Sequence, residues 1–208
     1  MTDFSLIETL RYEPEQGFVR LRLHLARLTR SARRLGFTGA SAAGDRLEEA
    51  VRGADQPLRV RLTLDRDGAI AVTVAPFAPL GRDALWRVRI ASTRIDSGDR
   101  LLRMKTTRRD VYEAARREFS PAEADEVILL NEKGEVSEGT ITSVFLDDGS
   151  GTLKTPPIAC GLLAGVLRAE LICQRRARVA RLSPADLQKG RLYVGNSLRG
   201  LIRVELLA

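Results

Sequence analysis

Lys105 is the residue of this chain best suited to covalent chemistry. Lysines and arginines together number 34, yet lysine occurs only at positions 105, 133, 154 and 189, so the remaining 30 cations are arginine. Arginine keeps its charge at physiological pH, whereas a lysine amine can lose its proton and attack a carbonyl carbon. Lys105 lies between a strand-like stretch and a helix-like stretch of the sequence. These features make Lys105 a candidate for covalent chemistry on an aldehyde.

Glu138 is a candidate for the carboxylate that such chemistry needs. A lysine that holds pyridoxal phosphate requires a carboxylate beside the pyridine nitrogen and a separate site for the phosphate. If residues 136–142 form one strand, alternation places Glu138 on the same face as Thr140 and Thr142. The alternative is a solvent-exposed strand face, which is the commoner situation for charged strand residues.

A candidate phosphate site begins at Gly165. The glycine precedes a helix-like stretch, and the first N–H groups of that helix, at Val166 and Leu167, attract anions. Arg27 could add a bidentate contact to the phosphate, and Asn196 offers further donors. Each piece also has an ordinary structural explanation, as a helix-capping loop, a surface arginine or a β-turn.

Composition limits the alternatives. The chain has 208 residues, a net charge of +7 and a pI of about 10.1. A positive charge of this size is typical of proteins that bind nucleic acid. However, the arginines are spread along the chain among 27 acidic residues, and aromatic residues make up only 5%, so no base-stacking surface is expected. A small anionic metabolite explains the same charge. Cys160 and Cys173 have neither metal-ligand nor redox-motif spacing, so we expect no metal site.

The chain is expected to stay in the cytoplasm. No apolar stretch is long enough to cross a bilayer, so no membrane association is expected. The first residues lack a basic segment followed by an apolar core, so no secretory signal is expected either.

Hydrophobic periodicity and turn residues predict an α+β protein of two lobes. Pro76, Pro79 and Gly81 mark the junction between a small N-terminal α+β lobe, 1–79, and a larger C-terminal lobe, 85–208, which carries Lys105. Helices are predicted at 24–35, 42–52, 108–119 and 166–174, with a short one starting at Ser183. Strands are predicted at 4–12, 18–23, 58–64, 69–74, 86–92, 126–130, 135–146 and 152–155, and near residues 179, 193 and 202.

Several motifs in order give the chain a family resemblance over nearly its whole length. They are Ile7-Glu-Thr-Leu-Arg11, His24-Leu-Ala-Arg27, Lys105-Thr-Thr-Arg-Arg109, Leu129 to Thr140 around Glu138, Thr155-Pro-Pro157, Gly161-Leu-Leu-Ala-Gly-Val-Leu-Arg168 and Asn196-Ser-Leu-Arg-Gly200. Together they resemble the fold-type IV pyridoxal phosphate enzymes, the class IV aminotransferases and aminodeoxychorismate lyases. Ser143 and Ala164 stand where that family commonly has asparagine and proline.

The resemblance implies a two-lobed fold like that of D-amino acid aminotransferase, a pyridoxal 5'-phosphate cofactor and a homodimer. Lys105 would hold the cofactor and move the substrate proton, Glu138 would bind the pyridine nitrogen, and the cofactor contacts would be completed by Arg27, Val166, Leu167 and Asn196. Substrate contacts are expected from Thr9, Arg11, Arg109 and Arg199.

The motifs that begin at Lys105 and Asn196 most resemble the lyase branch, which converts 4-amino-4-deoxychorismate to 4-aminobenzoate and pyruvate in folate biosynthesis. Two alternatives stay open. The first is transamination of branched-chain or D-amino acids, which would use the same cofactor residues. The second is a non-catalytic binding domain, which would ignore the cofactor.

Overall fold

The computed structural model describes residues 4–207. Met1, Thr2 and Asp3, on which the expectation of no secretory signal partly rests, lie outside the described residues. Among residues 4–207, no helix combines the length and apolar character needed to span a bilayer.

The chain divides into two compact units, each described here by itself. The first consists of the N-terminal residues up to Pro79 together with Met104–Arg108, and the second consists of Leu80–Arg103 and the residues from Arg109 onward. The division after residue 79 agrees with the proline-rich junction in the sequence. Lys105, however, was predicted to belong to the C-terminal lobe, whereas its segment groups with the first unit. The reason is backbone pairing between Leu6 and Thr106.

The first unit contains an antiparallel sheet covered by two helices. Its elements are β1 (Leu6–Glu13), β2 (Gly17–Phe18), α1 (Leu21–Leu35), a 3₁₀ turn (Ala40–Ala42), α2 (Ala43–Ala50), β3 (Leu58–Leu64) and β4 (Ile70–Pro76). The strand order is β2-β1-β3-β4, and Leu10 lies opposite Val60. Leu28 and Ala32 of α1 are buried in the same apolar core as these two residues. The helical spacing of the apolar residues therefore correctly identified the face of α1 that packs on the sheet.

The first hairpin is shorter than the sequence predicted. β1 pairs with β2 as expected, but β2 ends at Phe18. Arg20 has a φ of 61°, in the left-handed region, and α1 begins immediately after it at Leu21. Leu21, Arg22 and Leu23, predicted to belong to the strand, form the first turn of the helix instead.

The second unit contains a mixed sheet. Its elements are β5 (Leu85–Ile95), α3 (Asp110–Arg117), β6 (Glu126–Asn131), β7 (Val136–Gly139), β8 (Ser143–Asp147), β9 (Leu153–Thr155), α4 (Val166–Cys173), β10 (Ala177–Val179), β11 (Arg191–Asn196) and β12 (Gly200–Leu206), with 3₁₀ turns at Arg100–Arg103, Ile158–Cys160 and Asp186–Gln188. The strand order is β10-β9-β8-β11-β12-β5-β6-β7. β5 runs parallel to both β12 and β6. The last 3₁₀ turn replaces the short helix predicted from Ser183.

The prediction of one strand at 135–146 is wrong, because the chain turns sharply at Thr140–Thr142 between β7 and β8. The fully buried carboxylate of Glu126 causes the turn. It accepts backbone N–H groups from Thr140 at 3.0 Å and Ile141 at 3.1 Å, and hydroxyl groups from Thr140 at 2.5 Å and Thr142 at 2.8 Å. These bonds satisfy the turn donors that a continuous strand would have paired with a neighbouring strand.

Candidate active site

The backbone of Lys105 is fixed by pairing with β1. Ile7 N–H donates to the Lys105 carbonyl at 2.9 Å, and Thr107 N–H donates to the Ser5 carbonyl at 2.9 Å. This antiparallel register places Lys105 on the strand face that carries Ile7, Thr9 and Arg11, because side chains alternate along each strand. Two predicted substrate residues, Thr9 and Arg11, thus share a face with the candidate nucleophile.

A buried ion cluster lies between β1 and α1. Glu8, His24 and Arg27 are 2%, 1% and 8% exposed. Arg27 donates from Nε to Glu8 Oε1 at 2.8 Å and from Nη2 to Glu8 Oε2 at 2.6 Å. Burial by itself raises the pKa of Glu8, but the charge and hydrogen bonds of Arg27 and His24 outweigh it and lower the pKa to about 2. Glu8 is therefore ionised at neutral pH.

His24 is the neutral member of this cluster. Burial lowers its pKa, the contact with Glu8 opposes the shift, and the charges of Arg27 and Lys105 lower the pKa further. Its Nδ1 lies 2.7 Å from Glu8 Oε2, and because an ionised carboxylate only accepts, Nδ1 carries the proton. With His24 neutral, the cluster consists of one guanidinium and one carboxylate, held together by two hydrogen bonds. The Arg27 guanidinium is a group that can bind an anion such as a phosphate.

In the second unit, Glu138 is a buried carboxylate that accepts two hydrogen bonds on one oxygen. It is 5% exposed, so the solvent-facing alternative is wrong. Its Oε1 accepts the Tyr112 hydroxyl at 2.7 Å and the Leu163 N–H at 3.0 Å. Burial and the adjacent Glu138 charge raise the pKa of Tyr112 far above its usual value, so the phenol keeps its proton and donates it. A buried carboxylate with two donors is the kind of group that can hold a protonated ring nitrogen.

The expected grouping of Glu138 with two threonines is wrong. The hydroxyls of Thr140 and Thr142 bond to Glu126, since the strand ends at Gly139 and alternation stops there. The partners of Glu138 instead come from α3 and from the loop before α4. Tyr112 was missed because the helical pattern gave no sign that its hydroxyl, unlike its ring, has a polar partner. The Leu163 amide carries no sequence signal.

The start of α4 has the geometry of an anion site. The first helical hydrogen bond runs from Ala169 N–H to the Gly165 carbonyl at 2.9 Å. The N–H groups of Val166 and Leu167 come before this bond and so have no carbonyl acceptor within the helix. A Cβ on Gly165 would lie 2.7 Å from Ser143 Oγ, closer than van der Waals contact. A side chain at position 165 would therefore crowd Ser143 unless the serine hydroxyl moved, and glycine leaves the backbone approachable by a ligand.

The turn at Thr140–Thr142 also holds two further predicted site residues. Arg109 Nη2 donates to the Thr140 carbonyl at 2.5 Å, and its guanidinium lies 4.7 Å from the Tyr112 ring centre. Asn196 Nδ2 donates to the Ile141 carbonyl at 3.2 Å, while its Oδ1 accepts the N–H groups of Leu198 and Arg199. Asn196 thus caps the turn that leads to Arg199, and its contact with the cofactor stays a prediction.

Comparison with known proteins identifies the family. The family model for amino-transferase class IV matches residues 5–207. The chain belongs to this family. A solved structure from Mesorhizobium loti, provisionally described as an amino-acid aminotransferase, is 49% identical, has a TM-score of 0.96, and aligns over 99% of this chain and 100% of that one.

Two curated relatives carry different activities in their names. A protein of Schizosaccharomyces pombe, provisionally named aminodeoxychorismate lyase, is 30% identical over 83% of this chain and 74% of its own length. A protein of Thermotoga maritima, provisionally named branched-chain-amino-acid aminotransferase, is 31% identical over 81% of this chain and 62% of its own length.

These findings confirm the family resemblance and the mixed α+β fold of fold-type IV enzymes. Class IV enzymes use pyridoxal phosphate. This class IV protein is therefore a pyridoxal phosphate-dependent enzyme, either a lyase or an aminotransferase. Within the second unit, the residues present fit parts of this cofactor, since the buried Glu138 suits a protonated ring nitrogen and the helix start at Gly165 suits an anionic group such as a phosphate.

Proposed function

We propose that this class IV enzyme is a 4-amino-4-deoxychorismate lyase that forms 4-aminobenzoate and pyruvate. The observation that carries the proposal is the turn at Thr140–Thr142, which ties Arg109 on one side and the Asn196–Arg199 segment on the other. Arg109 donates to the turn directly, whereas Arg199 is linked to it through its backbone N–H, which donates to Asn196, and its guanidinium lies 5.7 Å from the Trp86 ring centre.

Two arginines in these segments suit a substrate with two carboxylates, because a guanidinium binds a carboxylate through a bidentate pair. A branched-chain amino acid presents one carboxylate, although 2-oxoglutarate, its partner in transamination, presents two. The similarity to the Schizosaccharomyces pombe protein supports the same reaction.

In this proposal each residue has a defined role. The cofactor, when bound, supplies an aldehyde that bonds covalently to amines and a protonated ring that accepts an electron pair. The Lys105 amine holds the cofactor at rest and, once free, removes the proton from the substrate carbon that bears the amino group. Glu138 keeps the proton on the ring nitrogen. Arg27 and the N–H groups of Val166 and Leu167 bind the phosphate.

The remaining predicted residues bind the substrate. Arg109 and Arg199 orient its carboxylates, and Thr9 and Arg11 contact it from the strand face that carries Lys105. Lys105 returns a proton as the enolpyruvyl group departs as pyruvate. The six-membered ring of the substrate becomes the aromatic ring of 4-aminobenzoate, and this gain in aromaticity drives the reaction forward.

The test is to supply aminodeoxychorismate to the purified protein and to measure 4-aminobenzoate and pyruvate. Lys105→Ala should abolish both products and the visible absorbance of the bound cofactor. Lys133→Ala is the matched control, because Lys133 is an exposed lysine beside Glu132. A fully active Lys105→Ala variant would exclude the assigned role. If the purified protein does not bind pyridoxal phosphate, the result would instead favour a non-catalytic binding domain.

Transamination is the second candidate function, favoured by the 49% identity to the Mesorhizobium loti protein. It predicts that the protein converts a branched-chain or D-amino acid with 2-oxoglutarate into the corresponding oxo acid and glutamate. Running this assay beside the lyase assay, with the same preparation, separates the two. Glutamate formation without 4-aminobenzoate would replace the lyase with an aminotransferase.

A further inference from the structure

Glu126 is a fully buried carboxylate to which the proposed reaction assigns no role. It is the first residue of β6, and both of its oxygens accept hydrogen bonds. Oε1 accepts the Val127 N–H at 2.8 Å and the Thr140 hydroxyl at 2.5 Å. Oε2 accepts the Ile141 N–H at 3.1 Å and the Thr142 hydroxyl at 2.8 Å. A buried carboxylate with donors on both oxygens is itself held in one place, and it fixes its partners in turn.

The peptide group between Thr140 and Ile141 links Glu126 to Arg109. Its N–H, from Ile141, donates to Glu126 Oε2 at 3.1 Å, and its carbonyl, from Thr140, accepts Arg109 Nη2 at 2.5 Å. A peptide group is planar and rigid, so fixing the direction of the N–H also fixes the direction of the C=O. A hydrogen bond from the N–H to a carboxylate also polarises the group and makes its carbonyl a stronger acceptor. Glu126 therefore determines, through one peptide group, where the Arg109 guanidinium is held.

The next carbonyl of the turn binds a second predicted site residue. The Ile141 carbonyl accepts Asn196 Nδ2 at 3.2 Å, and Asn196 Oδ1 accepts the Arg199 N–H at 2.9 Å. Glu126 thus holds the turn by its N–H and hydroxyl groups, whereas Arg109 and Asn196 bind its carbonyl groups.

Gly139 lets the Glu126 carboxylate reach this turn. A Cβ on Gly139 would lie 2.9 Å from Glu126 Oε2 and would overlap Thr142 Oγ1. The Gly139 N–H donates to the Thr142 carbonyl at 2.8 Å, which closes the turn behind the carboxylate. The backbone before the turn therefore leaves room for Glu126 but not for a side chain at position 139.

We propose that Glu126 is a positioning residue for substrate binding, which acts through the Thr140–Ile141 peptide group to hold the Arg109 guanidinium where it binds a substrate carboxylate. This role rests on the proposed function, in which Arg109 binds the substrate.

The Arg109 guanidinium is held in this way at two points. Its Nη2 donates to the turn, and its plane is set against the Tyr112 ring, whose centre lies 4.7 Å away. A guanidinium has five N–H donors, so the bond from Nη2 to the turn leaves other donors for a carboxylate. Glu126 itself does not contact the substrate in this proposal, and its effect on binding passes through Arg109.

The experiment compares Thr140→Val, Thr140→Ser and Glu126→Gln with the parent protein. Valine has nearly the shape of threonine but cannot donate to Glu126, whereas serine keeps the hydroxyl. The ligand is chorismate, which has both carboxylates of the proposed substrate but a hydroxyl in place of the amino group, so it cannot bond to the cofactor aldehyde. Calorimetry measures its Kd for the cofactor-loaded protein, and absorbance titration measures the Kd of the cofactor-free protein for pyridoxal phosphate.

Glu118→Gln is the matched control. Glu118 also accepts the N–H groups of two successive residues, those of Ser92 at 2.6 Å and Thr93 at 2.8 Å. These two residues belong to β5, and the proposed function assigns them no role.

We expect Thr140→Val and Glu126→Gln to raise the Kd for chorismate roughly tenfold, because a guanidinium that is no longer held in place must be ordered when the ligand binds. In Thr140→Val the Kd for pyridoxal phosphate should stay as in the parent, since Glu138 lies on β7, before the turn. Thr140→Ser and Glu118→Gln should match the parent in both constants.

A double-mutant cycle separates positioning from a general loss of structure. If Glu126 acts through Arg109, adding Thr140→Val to Arg109→Gln should weaken chorismate binding little further, because the residue that is positioned is already absent. Fully additive effects, or an unchanged Kd for chorismate in both Thr140→Val and Glu126→Gln, would overturn the proposal. If Glu126→Gln does not fold, as judged by circular dichroism, the Thr140 variants decide alone.

These binding measurements do not depend on turnover, so they distinguish a failure of this proposal from a failure of the lyase assignment. The expected pattern with chorismate, together with no 4-aminobenzoate from aminodeoxychorismate, would support the positioning role and refute the lyase. If the parent binds 2-oxoglutarate but not chorismate, the same variants are compared with 2-oxoglutarate, the dicarboxylate of transamination. A parent protein that binds neither ligand would overturn the positioning role, because Arg109 would then bind no substrate carboxylate.

Discussion

Arg27 and Glu8 form a two-point pair, Nε to Oε1 at 2.8 Å and Nη2 to Oε2 at 2.6 Å. The pair fixes the plane of the guanidinium, and His24 holds the same carboxylate from a third direction at 2.7 Å. Arg27, which we expect to bind phosphate, is therefore oriented before any ligand arrives. Such preorganisation lowers the entropy cost of binding.

Replacing Glu8 with glutamine should destabilise the first unit by about 3–5 kcal/mol, because Arg27 would stay buried without its counter-charge. The free energy of unfolding, measured in urea by circular dichroism, tests this. Glu13→Gln is the control, since Glu13 also pairs with an arginine, Arg11, but in a more exposed position. Equal losses in the two variants would contradict a special role for the buried pair.

The same cluster predicts that stability falls as the solution becomes acidic. The pKa of Glu8 is lowered from 4.5 to about 2, and that of His24 is lowered from 6.5. Both groups therefore stabilise the fold fully above pH 6.5. The contribution of His24 declines as the pH falls below 6.5, and that of Glu8, roughly 3 kcal/mol, declines between about pH 4.5 and pH 2. Urea unfolding at pH 7, 5 and 3 should show the Glu8→Gln variant losing less stability below pH 4.5 than the parent does.

Glu126→Gln should unfold the turn at Thr140–Thr142. Glutamine replaces one acceptor oxygen with an NH₂ donor, which would face N–H and O–H donors in a site that excludes water. A loss of about 3 kcal/mol or more in unfolding free energy is expected. Glu123→Gln is the control, because Glu123 also accepts an N–H and a hydroxyl, both from Ser120, but at an exposed turn. A similar, small effect in both variants would show that the turn does not depend on Glu126.

Gly165→Ala should weaken cofactor binding by roughly tenfold, since the added methyl group would overlap Ser143 Oγ and shift the start of α4. The double variant Ser143→Ala/Gly165→Ala removes the overlap and should recover most of the affinity. Absorbance titration with pyridoxal phosphate measures both. If the double variant binds as weakly as the single one, crowding against Ser143 is not the cause.

The sequence predicted elements that depend on local pattern. The helix that carries Arg27 ends at Gly36, where φ is 72°, because glycine adopts this left-handed conformation readily. The turn at Thr140–Thr142 could not be predicted in this way. Its cause is Glu126, which lies 14 residues before Thr140 in the chain. Nothing in the alternation of residues 135–146 reveals a carboxylate that arrives from another strand.

The candidate site shows the same limit. Lys105 and Glu138 were identified by residue type and motif, whereas Tyr112, which donates to Glu138, was not. Tyr112 fits the apolar face of α3, so its ring explains its position and its hydroxyl gives no signal. Among the arginines of residues 4–207, Arg27 and Arg168 are the buried ones, and their sequence context does not reveal this burial. Burial and partner choice are tertiary properties, which periodicity within one element cannot supply.

Arg109→Gln tests the two-carboxylate argument directly. If Arg109 binds a substrate carboxylate, its loss should raise the KM for aminodeoxychorismate by roughly 10- to 100-fold, with a smaller effect on kcat, because charged hydrogen bonds contribute about 1.5–3 kcal/mol. Arg108→Gln is the matched control, since Arg108 is the adjacent arginine and is exposed. The Kd for pyridoxal phosphate should stay as in the parent, which separates substrate binding from any disturbance passed through Tyr112 to Glu138. An unchanged KM in Arg109→Gln would remove the observation that favours a lyase over an aminotransferase.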